Sequence, residues 1–267
     1  MTILQAIILG FIQGITEILP ISSSAHLIII PTLLNWQVQS LSFDVFLQAA
    51  TLLSIIIYFR AKLSTIIKGM FSALKTEQIT YRKLGVNLLL SALPVIPFYL
   101  LSKNIIENIT NLPALVIILL ILFGIPFIFI TQVYQKNNKN ITSLSSKNAL
   151  VIGIFQSFSL ISGVSRSGIT TIGSLTQGLK KEQAQEYAFL AGILTIGASF
   201  VFELYRVFQQ PLEEPLINLV VSGVVAFVVC YFTIGLLMRF IKSYSLKIFG
   251  YYRIIIGVLF LIYLLIK

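Results

Sequence analysis

Cysteine, histidine and charged residues are scarce in this sequence, and each shortage excludes a class of protein. Cys230 is the only cysteine, so the chain has no internal disulfide and no cysteine metal cluster. His26 is the only histidine, which excludes a histidine-rich transition-metal site. The Walker A, HExxH and CxxC motifs and the Rossmann glycine pattern are also absent. The common nucleotide-binding and zinc-dependent sites are therefore missing.

The low charge content indicates that most of the protein lies in lipid. Only 10% of the 267 residues are charged and 57% are hydrophobic, whereas soluble domains carry about 25% charged residues. The net charge of +10 is not accompanied by a nucleic-acid-binding motif, so we expect no nucleic-acid partner. Basic cytoplasmic loops beside anionic lipid explain the charge better. The N-terminus lacks the features of a signal peptide, and we interpret it as part of the mature fold.

Six apolar runs are long enough for helices that cross a bilayer, which requires about 20 residues. We predict spans at 43–60, 84–102, 113–133, 186–206, 216–238 and 248–266.

Two further apolar regions, 3–34 and 148–178, are each interrupted near the middle by a polar segment. The interruptions are "PISSSAH" in the first region and "SGVSRSG" in the second. Halves of about 12–15 residues are too short to cross the bilayer. Irregular backbone at membrane depth must be enclosed by protein or by a water-filled cavity. We therefore predict two re-entrant helical hairpins.

The two hairpin regions resemble each other at a constant separation. Gln13 matches Gln156 and Ser22 matches Ser165, and each pair is 143 positions apart. Three predicted spans follow each hairpin, and an odd number of crossings places the second copy upside down. The sequence thus predicts two inverted repeats with a binding site at the membrane midplane.

The predicted fold is an all-α integral membrane protein with a single domain, 1–267. Each of its two inverted repeats, at about 1–134 and 148–267, consists of a re-entrant helical hairpin plus three transmembrane helices.

The distribution of basic residues predicts the orientation. The loops on one side, at 60–83, 134–148, 179–185 and 239–247, hold 14 of the 19 lysines and arginines. These are Arg60, Lys62, Lys68, Lys75, Arg82, Lys83, Lys136, Lys139, Lys147, Lys180, Lys181, Arg239, Lys242 and Lys247. The positive-inside rule makes this side cytoplasmic. The first hairpin then enters from outside, and we predict an outward-facing site in a multi-pass cell-membrane protein.

Three ionisable residues lie in the short hairpin helices: Glu17, His26 and Arg166. Such groups at membrane depth cost ~2.5–3.5 kcal/mol each on insertion scales, which points to a function. Arginine binds phosphate bidentately. Half-helices that begin near Ser22 and Ser165 would direct free N–H groups and positive dipole ends towards an anion. An ion pair that locks the hairpins together is the structural alternative.

The first hairpin also carries groups suited to nucleophilic and acid–base chemistry. Ser23 and His26 are three residues apart, so on a helix they share a face, and a serine nucleophile with a histidine base becomes feasible. Glu17 can ligate a divalent cation or orient His26. Ser24 and Ser167 either cap the half-helices or donate to phosphate oxygens. This combination predicts phosphoryl transfer.

Two other functions would use part of the same features. Inverted repeats with re-entrant hairpins are a transporter architecture, which suits a transporter or flippase of a phospho-lipid or anion. A pure binding protein that only sequesters such a lipid is the third hypothesis. Neither of them needs a nucleophile or a proton shuttle, so the polar residues of the first hairpin favour the enzyme.

The motifs resemble those of a known family. "QGITEILPISSSAH" (13–26) resembles the first signature of the bacterial undecaprenyl-diphosphate phosphatases, the bacitracin-resistance proteins. "SGVSRSGIT" (162–170) resembles their second signature. The span at 43–60 and the "YYR" at 251–253 also resemble family elements, so the resemblance covers essentially the whole chain.

The resemblance implies an integral membrane phosphatase that removes one phosphate from a polyprenyl diphosphate and so recycles the lipid carrier of cell-wall and peptidoglycan synthesis. It implies dependence on a divalent cation, Mg²⁺ or Ca²⁺. A homodimer is compatible with the sequence, which does not set the oligomeric state.

The family roles fall on matching positions of this chain. They make Glu17 a metal ligand or acid–base group, Ser23 a proposed nucleophile, His26 an acid–base group or nucleophile, and Arg166 a phosphate ligand. The residues implied to bind substrate are Gln13, Ser22, Ser24, Ser165, Ser167 and Thr170. Attack on phosphorus by Ser23, by His26 and by water all fit the sequence.

Two departures from the family pattern bear on the site. Gln13 stands where many members have glutamate, and a neutral amide is a poorer metal ligand than a carboxylate. Ala25 replaces the glycine before the histidine, which would strain the backbone if this position needs a positive φ.

Overall fold

A computed structural model describes residues 1–37, 39–71, 76–130, 136–209 and 214–266 of the chain. The described part contains no β-strand and confirms the all-α class. The α-helices are α1 (Ile3–Thr16), α2 (Ser23–Leu33), α3 (Leu41–Tyr58), α4 (Arg60–Phe71), α5 (Thr76–Ala92), α6 (Val95–Thr110), α7 (Pro113–Leu122), α8 (Ile125–Phe129), α9 (Ser146–Ser157), α10 (Arg166–Thr176), α11 (Lys181–Val207), α12 (Leu216–Ser243) and α13 (Lys247–Ile266).

Five segments are long and apolar enough to cross a membrane, and they confirm five of the six predicted spans. These segments are Leu41–Tyr58, Gln78–Ile106, Lys181–Val207, Leu216–Ser243 and Lys247–Ile266. The second of them consists of α5 and α6, which are joined by a turn at Leu93 and Pro94. The protein is therefore a multi-pass membrane protein.

The prediction of one continuous span at 113–133 is wrong. The helix ends at Leu122 and a short helix follows at Ile125–Phe129, while 131–133 lie outside the described residues. Pro126 explains the break, because proline has no N–H to donate and its ring clashes with the carbonyl four residues earlier, that of Leu122.

The interpretation of 60–83 as a loop is also wrong for the residues that the structure describes. Helix α4 packs against α5 there, and Ile66 is buried in the same cluster as Leu84 and Leu88. The apolar residues of α4 thus bury one face of this helix, although the segment 60–83 is rich in basic residues. Lys75 lies outside the described residues.

Both hairpin regions are helix–turn–helix segments. Helix α1 starts with a capping box between Thr2 and Gln5, and α9 with one between Ser145 and Asn148. Each first helix ends before the polar segment, and each second helix, α2 or α10, is 11 residues long. Helices of this length rise about 17 Å, which is less than the hydrocarbon thickness.

The first helix of each hairpin packs on a long helix from the other half of the chain. Helix α1 lies against α12, and α9 lies against α5. A Cβ atom at Gly10 would lie 2.4 Å from the Ser222 carbonyl oxygen, and one at Gly153 would lie 2.5 Å from that of Ser91. Only glycine permits these backbone approaches. The packing brings the two hairpin tips together inside the protein.

Candidate active site between the hairpin tips

A cleft of about 480 Å³ lies between the two hairpin tips, the start of α3 and the ends of α6 and α11. Most of the residues that line it are polar, which is unusual for a position among membrane-crossing helices. The polar lining residues are Gln13, Thr16, Glu17, Ser22, Ser23, Ser24, Gln39, Asp44, Gln48, Thr110, Asn111, Ser159, Ser162, Ser165, Arg166, Ser199 and Glu203.

The tips share an unusual backbone conformation at their N-cap serines. Ser22 has φ 72° and Ser165 has φ 74°, in the left-handed region that non-glycine residues rarely adopt. Each serine hydroxyl accepts a hydrogen bond from the third amide of its helix, at 3.4 Å from Ala25 N and 3.3 Å from Gly168 N. The positive φ therefore lies at the caps and not at Ala25, so the expected strain at Ala25 is absent.

The first amides of α2 and α10 are available to a ligand. The first N–H groups of any helix have no intrahelical acceptor, and the residues that carry them here, Ser23, Ser24 and Arg166, line the cleft. Two helix N-termini, each with a partial positive charge, thus border one chamber. This arrangement suits an anion with more than one charged group.

Glu17 accepts two hydrogen bonds from its own hairpin and forms an ion pair with the other tip. Ser23 Oγ donates to Glu17 Oε2 at 2.7 Å, and Gln13 Nε2 donates to the same oxygen at 3.2 Å. Arg166 Nη1 lies 3.3 Å from Glu17 Oε1. The ion pair that the sequence left as an alternative is therefore present, and it lies within the polar cleft.

Two serines link the hairpins reciprocally. The amide of Gly163, on the second tip, donates to Ser24 Oγ at 3.1 Å. Ser167 Oγ, on the second hairpin, donates to the Leu19 carbonyl at 3.2 Å. Each hydroxyl also contacts its own cap serine. Ser24 borders the cleft, whereas Ser167 is used in the contact between tips and does not line it.

Thr170 is not in the cleft either. Its hydroxyl is fully buried and donates to Gln156 Oε1 at 3.3 Å. One turn along α10 from Arg166, the chain already lies in the protein interior. Of the six predicted substrate-binding residues, the structure brings Gln13, Ser22, Ser24 and Ser165 to the cleft.

His26 does not line the cleft, although it lies three residues from Ser23 on the same helix. The residues of α2 that line the cleft are Ser23, Ser24, Leu27 and Ile28. Successive residues of an α-helix lie about 100° apart around the helix axis. Around the axis of α2, the middle of this cleft-lining set is roughly 70° from Ser23 in one direction, and His26 is about 60° from Ser23 in the opposite direction.

The ring of His26 has two fixed partners instead. Nδ1 lies 2.8 Å from the Ser22 carbonyl oxygen, and Nε2 lies 2.8 Å from the Tyr252 hydroxyl. Because a carbonyl only accepts, Nδ1 carries the proton and Nε2 accepts from the tyrosine. His26 and Tyr252 border a separate apolar groove, beside Phe11, Ile30 and Phe249. His26 therefore holds the backbone of the N-cap residue Ser22 and is not one of the cleft-lining residues.

Several cleft residues were not predicted as site residues. Asp44, Gln48 and Glu203 also line the chamber, and Asp44 Oδ1 is buried without a hydrogen-bond partner among the described residues. Their sequence signal is weak, because a polar residue near the end of a span is equally typical of a helix terminus in water.

The donor atoms beside Glu17 fit a divalent cation that arrives with a phosphate ligand. Across the described ranges, no group of three or more histidine, cysteine, aspartate or glutamate residues is arranged to hold a metal ion. However, Gln13 Oε1 is buried, has no partner and lies on the residue that binds Glu17. Mg²⁺ is commonly held by one or two carboxylates together with substrate phosphates and water. One carboxylate and one free amide oxygen match that pattern.

Comparisons with known proteins agree with one another. The family model described as "Bacitracin resistance protein BacA" matches residues 6–259. The chain is 35% identical over 270 residues to an undecaprenyl-diphosphatase of Chlorobium limicola, which covers 96% of this chain and 95% of the relative. It is 34% identical to undecaprenyl-diphosphatase 1 of Pseudoalteromonas translucida, with 99% of both chains covered.

Proposed function

Because the chain belongs to the bacitracin resistance protein BacA family, we propose that it is a membrane phosphatase that converts undecaprenyl diphosphate to the monophosphate and inorganic phosphate. The reaction regenerates the lipid carrier of cell-wall synthesis and gives bacitracin resistance its biochemical basis. The observation that carries the proposal is the joint presence of Arg166, the Ser23–Glu17 pair and two helix N-termini in one polar cleft.

Arg166 and the two helix N-termini bind the diphosphate. The guanidinium binds phosphate oxygens bidentately and lies at the first position of α10. Its present partner, Glu17, holds it at the cleft through a 3.3 Å contact. On substrate binding the guanidinium exchanges this contact for phosphate, and one Glu17 oxygen becomes free. Ser22 and Ser165 keep the amide ends of the half-helices oriented towards the anion.

Ser23 attacks the terminal phosphorus, and Glu17 accepts the proton of its hydroxyl. The 2.7 Å hydrogen bond between them already has the direction that this transfer needs. The bond from that phosphorus to the bridging oxygen breaks, and the lipid monophosphate leaves. Glu17 gives its proton to the leaving monophosphate. A water molecule then attacks the phosphoserine and gives a proton to Glu17, the bond from phosphorus to Ser23 Oγ breaks, and inorganic phosphate is released. Glu17 returns the proton to Ser23 Oγ. The same carboxylate would serve in a direct attack by water.

His26 acts as a positioning residue in this proposal. Its Nδ1–H holds the carbonyl of Ser22, the residue with the left-handed backbone, and Tyr252 fixes the ring from the other side. A direct role as nucleophile or base is not supported by its location, because the ring borders the apolar groove and not the polar cleft.

Glu17 and Gln13 Oε1 would hold a divalent cation together with the diphosphate. When bound, Mg²⁺ or Ca²⁺ supplies positive charge that offsets the charge developing on the leaving phosphate. The glutamine in place of a second carboxylate reduces the negative charge that the protein itself presents to the substrate.

Several contacts support an inverted-repeat plan with an outward-facing site. Helix α1 packs on α12 as α9 packs on α5, and the glycines in these contacts, Gly10 and Gly153, are 143 positions apart. The outer part of the cleft is formed by the start of α3 and the ends of α6 and α11, the ends that the distribution of lysine and arginine assigns to the outside.

The transporter hypothesis is less well supported. Transport of a phospho-lipid requires the arginine and the helix dipoles, but it does not require a hydroxyl hydrogen-bonded to a carboxylate beside them. Release of phosphate by the purified protein separates the two functions. In detergent, with farnesyl diphosphate and Mg²⁺, the wild-type protein should release inorganic phosphate, and Arg166→Ala should lower kcat/KM by about 10³-fold.

Lys103→Ala is a matched control, because Lys103 is exposed near the middle of α6 and does not line the cleft. Its activity should equal that of the wild type. Phosphate release that survives Arg166→Ala would contradict the site assignment. Bound lipid without any phosphate release from the wild type would favour the transporter.

A further inference from the structure

Arg253, on α13, is the largest fully buried side chain among the described residues, with 0% exposure. It forms no ion pair with a described acidic residue. A buried guanidinium without a carboxylate is costly, because it has lost the hydration of its charge. The contacts that replace this hydration indicate what the residue does.

All of the hydrogen bonds described for Arg253 go to backbone carbonyls. Nε donates to the Leu120 carbonyl at 3.0 Å. Nη1 donates to Val164 at 3.0 Å and to Pro20 at 3.4 Å, and Nη2 donates to Gly163 at 2.9 Å. One side chain therefore joins the last helix, α7 and the tips of both hairpins.

The carbonyls on the two tips belong to residues just before the N-caps. Val164 directly precedes Ser165, and Pro20 lies two residues before Ser22. In a trans peptide the carbonyl and the following N–H point in opposite directions. When the Val164 carbonyl points to Arg253, the Ser165 amide therefore points away from it. The guanidinium also adds a permanent positive charge behind two helix N-termini that already favour an anion.

We propose that Arg253 is a positioning residue for the phosphatase reaction: it fixes both hairpin tips through their backbone and adds positive charge behind the diphosphate site. This inference rests on the proposed function, because it assigns the consequence of that fixation to catalysis. Only arginine has a planar fork that can reach carbonyls on three elements, whereas lysine carries the same charge at a single point. The two parts of the proposal can therefore be separated by substitution.

Arg253→Lys keeps the charge and loses the fork, and Arg253→Gln loses both. We expect Arg253→Lys to lower kcat by about 10²-fold with KM close to the wild-type value, since a misplacement of about 1 Å costs that much. Arg253→Gln should lower kcat similarly and also raise KM for farnesyl diphosphate. Arg239→Lys is the matched control, because Arg239 is exposed on α12 outside the cleft, and it should change neither constant.

Hydrogen exchange followed by mass spectrometry provides a readout that does not depend on activity. Arg253→Lys should exchange faster at 17–24 and at 158–168, whereas Arg239→Lys should match the wild type. Unchanged exchange at the tips, or an unchanged kcat per folded molecule, would overturn the proposal. A wild-type protein that releases no phosphate would refute the proposed function alone, and the exchange comparison would still decide whether Arg253 orders the tips.

If neither Arg253 variant folds, Gly124→Ala displaces the arginine without removing it. A Cβ at Gly124 would lie 3.1 Å from Arg253 Cβ and from the Gly250 carbonyl oxygen, and 3.0 Å from that of Ile121, so it would displace α13 where the arginine is attached. A Cβ at Gly192 would meet only Ile196 Cδ1 at 3.8 Å. We expect Gly124→Ala to lower kcat at least several-fold and Gly192→Ala to leave it unchanged. Equal activity of the two alanine variants would overturn the proposal.

Discussion

The two hairpins have nearly the same backbone at their tips but different side chains at equivalent positions. Ser22 and Ser165 differ by two degrees in φ and cap their helices in the same way. The next residues, Ser23 and Arg166, are also 143 positions apart, yet one carries a hydroxyl and the other a permanent cation. The shared backbone makes two similar anion-binding helix ends, and the side chains divide the chemistry between them.

The same division extends along the hairpins. Glu17 in the first hairpin corresponds to Leu160 in the second, and His26 corresponds to Ile169, again at a separation of 143. In the proposed mechanism, the acid–base group and its hydroxyl partner therefore come from one hairpin, and the phosphate-binding cation from the other. The two hairpin tips thus share a backbone conformation and differ in the side chains that they carry.

Removing the hydroxyl from the first hairpin should have the largest effect. Ser23→Ala should lower kcat by at least about 10⁴-fold, because it deletes the proposed nucleophile and leaves the binding groups in place. Mass spectrometry of wild-type protein quenched during turnover should detect phosphoserine at Ser23. Ser102→Ala, outside the cleft on α6, should behave like the wild type. Ser23→Ala activity within tenfold of the wild type would leave direct attack by water as the mechanism.

A pair of His26 variants tests whether that residue positions the first tip or takes part in proton transfer. His26→Ala should lower kcat by about 10²-fold, because the Ser22 carbonyl loses its donor. His26→Asn retains an N–H near the place of Nδ1 and should recover most of that loss. Steady-state kinetics of both variants decide the question. Equal losses in the two variants would point to proton transfer by the imidazole.

We expect the smallest effect from substitutions at the N-cap serines of α2 and α10, where the two hairpins are most alike. Ser22→Ala and Ser165→Ala each remove one N-cap hydrogen bond and should lower the free energy of unfolding by about 1 kcal/mol. Thermal unfolding in detergent measures both losses under one condition. A marked difference between the two variants would mean that the similar backbones are supported unequally by their surroundings.

The sequence was sufficient for features that depend on local pattern. The lengths of the apolar runs predicted six spans, five of which the structure confirms, and the polar segments around Ser22 and Ser165 predicted where the hairpins turn. The charge of Arg166 and the hydroxyl of Ser23 predicted two residues that meet at Glu17. Each of these signals lies within a few residues of the feature it predicts.

Other features depend on tertiary packing, which the sequence does not state. The direction of His26 follows from how α2 is rotated about its axis, and this rotation is set by the helices packed around it. Thr170 follows Arg166 by one turn but is enclosed by Gln156 from another helix. The four acceptors of Arg253 come from segments more than 80 residues away in the chain. Residues like these are identified only when the helices are assembled.

The close contacts at Gly10 and Gly153 have a consequence for how the protein is divided. Each hairpin touches, backbone to backbone, a helix that is encoded in the opposite half of the polypeptide. Neither half alone contains the surface against which its own hairpin is seated. Fragments produced by cutting between the halves should therefore be unstable separately and reassemble when co-expressed. If a half-length chain inserted into the membrane in both orientations, two oppositely oriented copies could pair. The hairpin of each copy would then pack on a long helix of the other.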